Sequence, residues 1–431
     1  MDIENSKHPL TPEGYLPRII DTRLEKLLKA FGGVEITGAK WCGKTWTALA
    51  HARSVDRLDD QATYDAAMID PALVLQGEAP HLVDEWQEVP AIWDAARRHI
   101  DDKADKKGQL ILTGSSAPKD DSIHHSGTGR FAKLRMRPMT LYEAGASDGI
   151  VSFSALFDRA FKSARCETEL AHIASWCCRG GWPSILHMQD DLALEIPPEY
   201  VNSTLDAIEQ KLRLSRTTAL SLMRALASNL SQSATIATLA KDMSASGDEP
   251  SNKTIESYLD VLKRLYLVEE LGGWEPALIS KKRVRIKPKR FFVDPSIAAA
   301  LLGATPVALL RDMQTLGKLF ETLCIRDLLV FLSVLPGVGN RLYYYLDDKD
   351  LEIDAIVQLG DGRWGAFEIK LSDRKIDSAA ASLVRLKRKV TANAAAKAYD
   401  PAFLAVLIGK GTIAYQRDDG VYVIPIACLG P

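Results

Sequence analysis

Val34-Glu35-Ile36-Thr37-Gly38-Ala39-Lys40-Trp41-Cys42-Gly43-Lys44-Thr45 decides the fold, because it runs from a short apolar-biased strand through a glycine-bounded loop into a stretch, 45–53, with helical pattern. Gly38 to Thr45 satisfies G-x-x-x-x-G-K-[ST] in full, with Ala39, Lys40, Trp41 and Cys42 as the free positions. Glycines at both ends let backbone N–H groups curl round phosphates at the positive end of a helix. Lys44 then reaches the terminal phosphate oxygens, and Thr45 offers its hydroxyl to Mg²⁺. A glycine-rich turn carrying an exposed lysine would give the same letters, so the decision rests on what lies downstream.

Forty residues on, the apolar run His81-Leu82-Val83 delivers Asp84 and Glu85. Asp84 is expected in the Mg²⁺ shell, and Glu85 is expected to orient and deprotonate the attacking water. Acids also end strands for no catalytic reason, but beside a phosphate loop the pair completes a site for ATP hydrolysis. The next run, Gln109 to Thr113, leads into Gly114-Ser115-Ser116, where Thr113 or Ser115 could sense the γ-phosphate or simply serve a turn. Arg130 follows, either an arginine finger in cis or in trans, or an ordinary surface arginine. With 92–100 helical in pattern, the strands and helices alternate. The expected fold is α/β, a mostly parallel P-loop NTPase sheet with helices on both faces, over residues 15–145.

These residues, together with Leu58-Asp59-Asp60, Val83-Asp84-Glu85-Trp86-Gln87 and Arg137-Pro138-Met139-Thr140-Leu141-Tyr142-Glu143, resemble prokaryotic AAA-type ATPases. The resemblance runs through Phe291-Phe292-Val293-Asp294-Pro295 to the C-terminal acids and so covers nearly the whole chain. It implies the P-loop fold with an additional strand, with ATP and Mg²⁺ as cofactors, and leaves the biological substrate open.

Residues 146–290 read as a helical connector, with apolar residues at helical spacing over 153–230 and a loop at Arg179-Gly180-Gly181-Trp182-Pro183. A winged-helix-like order follows: helix 235–243, polar turn, helix 251–265 capped by Ser251, strand 267–271, then the basic 284–292. Asn252, Lys253, Ser257, Lys263 and Arg264 would face DNA, with Arg283, Arg285, Lys287 and Lys289 as the wing. Glu256 and Asp260 share that exposed face and argue equally for packing against protein.

Residues 291–431 read as a smaller α/β domain. Glu321 on a helix, Asp354 on a strand and Glu368-Ile369-Lys370 on the next give the order E…D…E-x-K, with Glu352 as an extra candidate. Such carboxylates can gather one or two divalent ions, Mg²⁺ or Mn²⁺, with Lys370 on the same strand face. The order is similar to the restriction-endonuclease-like PD-(D/E)XK superfamily, which implies metal-dependent DNA cleavage. Chance spacing, or an inherited fold that binds without cutting, would leave the same pattern.

Composition sets the outer bounds. The 431 residues are 46% hydrophobic and 26% charged, with a net charge of -2. That balance excludes a protein basic over its whole surface. No run approaches the ~20 apolar residues of a membrane span. The polar Met1 to Leu10 is unlike a signal peptide, so the expected location is the cytoplasm. Six scattered cysteines without CxxC spacing point to reduced thiols rather than zinc or disulfides. His124 and His125 lie in a polar loop, and the tryptophans read as core or interface residues. DNA is a candidate partner, a homo-oligomer is open, and no protein partner is specified.

Overall fold

The structure is a computed structural model describing residues 9–103, 105–116, 128–245, 247, 249–276, 287–392 and 400–431. His124, His125, Arg283 and Arg285 lie outside the described residues. The chain divides into two compact units, residues 1–138 with 264–266, and 139–263 with 267–431.

The first unit is built on β1 (Gly33–Thr37), β2 (Ser54–Arg57), β3 (His81–Asp84), β4 (Leu110–Gly114) and β5 (Phe131–Arg135), in the order β2-β3-β4-β1-β5. Every pairing is parallel. β4 lies between β1 and β3, which is the additional strand the resemblance implies. Strands β1, β3 and β4 are buried along their whole length, as parallel strands covered on both faces must be. One face is closed by α1 (Asp21–Ala30) and α2 (Lys44–His51), through Leu24, Leu27 and Ala48 on Val34 and Ile36. The other is closed by α3 (Gln61–Ile69) and α4 (Ala91–Asp102), with Trp86 and Trp93 on Val83 and Leu112. In α4 the buried Ile92, Trp93, Ala96 and Ile100 recur at helical spacing, and Trp93 stacks on Phe131 at 4.8 Å between centroids.

The second unit contains a seven-stranded mixed sheet. Its strands include β6 (Ala164–Thr168), β7 (Arg341–Leu346), β8 (Glu352–Gln358), β9 (Trp364–Lys370), β10 (Phe403–Ile408), β11 (Gly411–Gln416) and β12 (Tyr422–Pro425), in the order β7-β8-β9-β10-β12-β11-β6. The sequence reading placed 164–168 in a helical connector. Here it is an edge strand, because Ala164, Cys166 and Thr168 are buried and Arg165 and Glu167 exposed, a period of two that outweighs the helical spacing around it. The helix Ile376–Thr391 crosses between β9 and β10, which makes that pair parallel, and lays Ile376, Ala380, Leu383 and Leu386 on the sheet.

Helix Asn252–Arg264 buries Ile255, Tyr258, Leu259 and Leu262, and Ser251 Oγ accepts the Thr254 N–H at 3.1 Å, the expected cap. Strand Val268–Leu271 pairs antiparallel with Lys289–Phe292. A 22-residue helix, Met313–Val334, carries the buried Arg326 and Asp327. Arg326 reaches Asp294 at 2.8 Å and Asp327 at 2.7 Å. Asp294 also accepts the Gly181 N–H at 3.0 Å, and Asp327 accepts the Leu141 N–H at 3.0 Å. A guanidinium this deep is tolerated only because carboxylates surround it, and they in turn organise the 139–141 and 180–181 loops. Among the described residues, no helix is long and apolar enough to cross a membrane.

Candidate functional site

The phosphate loop is shaped by two glycines. A Cβ on Gly38 would lie 2.2 Å from the Met136 carbonyl oxygen, so only glycine lets the loop pass there. Gly43 has φ 99°, in the left-handed region, and turns the chain into α2. Behind the loop, the buried Arg18 donates to Cys42 O at 2.8 Å and to Arg137 O at 2.9 Å. Sequence reasoning missed Arg18, since nothing in its neighbourhood signals a role until the loop folds onto it. Lys44 is buried with its ammonium on the Ala39 carbonyl at 2.9 Å, inside the curl of the loop. Trp41 stands exposed, at φ 61°. A glycine-bounded loop leading into a helix N-terminus, with one ammonium held inside its curl, has the chemistry of a polyphosphate cradle.

The two downstream acids converge on it. Thr45 Oγ1 lies 3.0 and 3.1 Å from the Asp84 oxygens, joining residues 39 apart in sequence. Thr113 donates a short hydrogen bond to Asp84 Oδ1 and accepts the Glu85 N–H at 3.3 Å. Burial pushes the Asp84 carboxyl above its usual range; the Thr113 bond opposes that, and neighbouring Glu85 adds to it. A buried carboxylate beside a threonine hydroxyl, with a further acid next to it, is a hard-oxygen set that fits Mg²⁺. Glu85 has φ 55°, and its Oε2 accepts from Ser115 Oγ at 2.9 Å and from the Gln87 amide. A left-handed non-glycine residue whose carboxylate is clamped from two sides is backbone strain of the kind that collects at functional positions. Thr113 and Ser115 thus hold the two acids. Gln87, quoted in the sequence only as part of the family resemblance and given no role there, also holds the Glu85 carboxylate.

Arg130 is elsewhere. It pairs with Asp101 at 3.0 and 3.2 Å. It also precedes β5, whose first residue pairs with Gly33 and whose last pairs with Thr37. The phosphate loop follows Thr37, so Arg130 sits at the opposite end of the strands, about 16 Å of strand away. That position, with the guanidinium on Asp101 and part of it exposed, fits an ordinary surface arginine or a finger in trans better than a finger in cis.

The C-terminal acids also converge. Asp354 Oδ2 accepts the Ile369 N–H at 2.7 Å and Lys370 Nζ at 3.0 Å, and Lys370 makes a shorter contact with Glu368. Lys289, expected on a DNA-facing wing, is 3% exposed and points into this cluster instead, 3.4 Å from Glu321 and 2.5 Å from Glu352. Strand alternation alone could not place it, because the acids it meets come from a helix and a strand far along the chain. Burial, then Asp354, pushes Glu321 up to about 7 and Glu368 up to about 9. Burial opposes ionisation of Asp354, but Lys370, Lys289 and the Ile369 N–H hold it below the usual range. Among the described residues no group of three or more His, Cys, Asp or Glu side chains has an arrangement that could hold a metal ion. Lys289 and Lys370 stand on the carboxylates that a second Mg²⁺ or Mn²⁺ would use.

The DNA-facing expectation fares unevenly on helix Asn252–Arg264. Asn252, Lys253 and Ser257 are exposed as expected, but so are Glu256 and Asp260, and Lys263 is spent on Glu270 at 3.0 Å. Lys287 is exposed.

Residues 32–145 match an AAA domain family, 170–308 a domain of unknown function, DUF8612, and 316–429 another, DUF4143. No curated protein matches the chain. Among solved structures, the Walker-type ATPase PABY2304 of Pyrococcus abyssi is similar over 69% of this chain and 99% of its own, at 12% identity and a TM-score of 0.44. A RuvB variant of Thermotoga maritima is similar over 58% and 88%, at 16% identity and a TM-score of 0.27. The Aeropyrum pernix ORC1 protein, in complex with DNA, is similar over 71% and 98%, at 11% identity and a TM-score of 0.23. The first unit is an AAA-type P-loop domain.

Proposed function

We propose that the first unit binds ATP with Mg²⁺ and hydrolyses it, and that this cycle controls what the second unit engages. The observation that carries the reading is the convergence of Thr45, Asp84 and Thr113 beside a Glu85 held by Ser115. Backbone N–H groups of 38–45 and Lys44 bind the phosphates. Thr45 and Asp84 would hold Mg²⁺, which when bound offsets charge on the phosphate oxygens. Glu85, kept in place by Ser115 and Gln87, takes the proton of the attacking water. Thr113 fixes the direction of both acids at once, through its hydroxyl and the Glu85 N–H.

Nucleic acid is the proposed class of target for the second unit, supported by the helix-turn-helix-strand order over 236–292 and the exposed Asn252, Lys253, Ser257 and Lys287. One observation favours a second reading, a nucleotide-controlled switch that binds DNA or protein without cutting: Lys289 and Lys370 already occupy the carboxylates a nuclease would use. The two readings separate when ATP turnover is measured with and without DNA while the same DNA is followed in Mg²⁺ or Mn²⁺. DNA-stimulated turnover with cleavage lost in Asp354→Ala supports a coupled nuclease; stimulation without cleavage supports the switch.

A further inference from the structure

The E…D…E-x-K order brings together acids that call for a cation. The fold supplies one from an unexpected place. Lys289 lies on the strand Lys289–Phe292, paired with Leu271, and its neighbour Arg290 turns outward to Glu270 at 2.9 Å and to the Ala234 carbonyl at 2.8 Å. The Lys289 side chain therefore runs inward, where only 4% of it stays exposed. Its ammonium meets Glu321 from the helix Met313–Val334 and Glu352 from β8, and lies 5.3 Å from the centre of the Tyr344 ring. Lysine is rarely buried so fully unless carboxylates compensate it, and here three sides of the ammonium are taken.

The arrangement divides four acids between two ammonium groups. Lys370 takes Asp354 and Glu368, and Lys289 takes Glu321 and Glu352. A divalent ion needs several carboxylate oxygens with free lone pairs and no competing charge next to them. Each acid in this cluster has already given an oxygen to a cation that is covalently part of the chain. The ammonium of Lys370 belongs to the E-x-K pattern itself and by itself would leave Glu321 open. Lys289 is the element outside that pattern, and it closes Glu321.

We propose that Lys289 is the resident cation of this cluster, so that the second unit holds its acids together without a divalent metal and does not use them to cut phosphodiesters. This rests on the non-cutting reading of the second unit and is independent of ATP turnover, so its failure leaves the ATPase reading standing and failure of the ATPase reading leaves it standing.

The test is a nucleotide-free Mn²⁺ titration, followed by calorimetry and by the free-Mn²⁺ spin resonance signal, on full-length protein carrying Asp84→Asn to silence the phosphate-loop ligand. That parent is expected to show no Mn²⁺ binding that Asp354→Asn removes. Adding Lys289→Gln, or Lys289→Met with its similar unbranched stem, is expected to create one Mn²⁺ site per chain, at least ~10-fold tighter than any in the parent and lost again with Asp354→Asn. Lys289→Arg is expected to behave as the parent. Asp354-dependent Mn²⁺ binding by the parent overturns the proposal, as does a folded Lys289→Gln or Lys289→Met protein that gains none. The parent titration decides alone if neither variant folds.

Discussion

Gly38 has no room for even one more carbon, because a Cβ there would lie 2.2 Å from the Met136 carbonyl, an immovable backbone atom. Gly38→Ala is therefore expected to displace the phosphate loop and weaken ATP binding at least ~10-fold while leaving the melting temperature of the rest of the protein nearly unchanged; equal affinity by calorimetry would contradict the close approach. Lys44 sits within the same curl, and Lys44→Ala is expected to remove a charge-assisted contact of roughly 1.5–3 kcal/mol, about 10- to 150-fold in Kd for ATP. Unchanged affinity would remove Lys44 from the phosphate site. At this scale the sequence was informative wherever a motif fixes residue order and chemistry together, as for Gly38 to Thr45 and for Asp84 and Glu85. It was silent where the partner comes from elsewhere in the chain. Arg130 follows a glycine downstream of the loop, but only strand register shows that it precedes β5 and lies at the end of the strands away from the phosphate loop. Lys289 looks like any other cation in a basic run until Glu321 and Glu352 are folded around it.

Among the elements, the helix Met313–Val334 buries charge as well as apolar surface. Its Arg326 is balanced by Asp294 and Asp327, and those acids hold the N–H groups of Gly181 and Leu141. Asp294→Ala removes one of the two carboxylates and orphans the Gly181 N–H, and is expected to destabilise the second unit by about 3–5 kcal/mol in chemical denaturation. A change below about 1 kcal/mol would show that Asp327 alone suffices for Arg326. Element type was legible where the pattern persists: Ile255, Tyr258, Leu259 and Leu262 set the 252–264 helix, and short, nearly continuous apolar runs, buried on both faces, set β8 and β9. It failed at Ala164–Thr168, a five-residue strand flanked by helical spacing, because edge strands earn their place by pairing with β11, a partner more than 240 residues later.

For the molecule as a whole, the buried acids make the stability of the second unit depend on pH in a definite direction. The unfolded chain releases glutamate protons near pH 4.3, whereas in the folded unit Glu321 holds its proton up to about 7 and Glu368 up to about 9. Across that window the folded state binds more protons than the unfolded one, so raising the pH favours unfolding. The melting temperature of the second unit is expected to fall between about pH 6 and about pH 9, and Glu368→Gln to flatten the fall; a melting temperature that rises over that range would contradict the burial of these acids. Whole-molecule organisation was legible in part. The parallel P-loop sheet followed from one loop and two acids, while the division into units depended on which distant strands pair.

The central claim is that Glu85, held by Ser115 and Gln87, is the base of an ATP hydrolysis site. Phosphate release from ATP by the wild type and by Glu85→Gln, with ATP binding measured in parallel, tests it most directly. The expected result is Mg²⁺-dependent turnover by the wild type and about 10²- to 10⁴-fold slower turnover by Glu85→Gln at undiminished ATP affinity. Turnover by Glu85→Gln at the wild-type rate would contradict it.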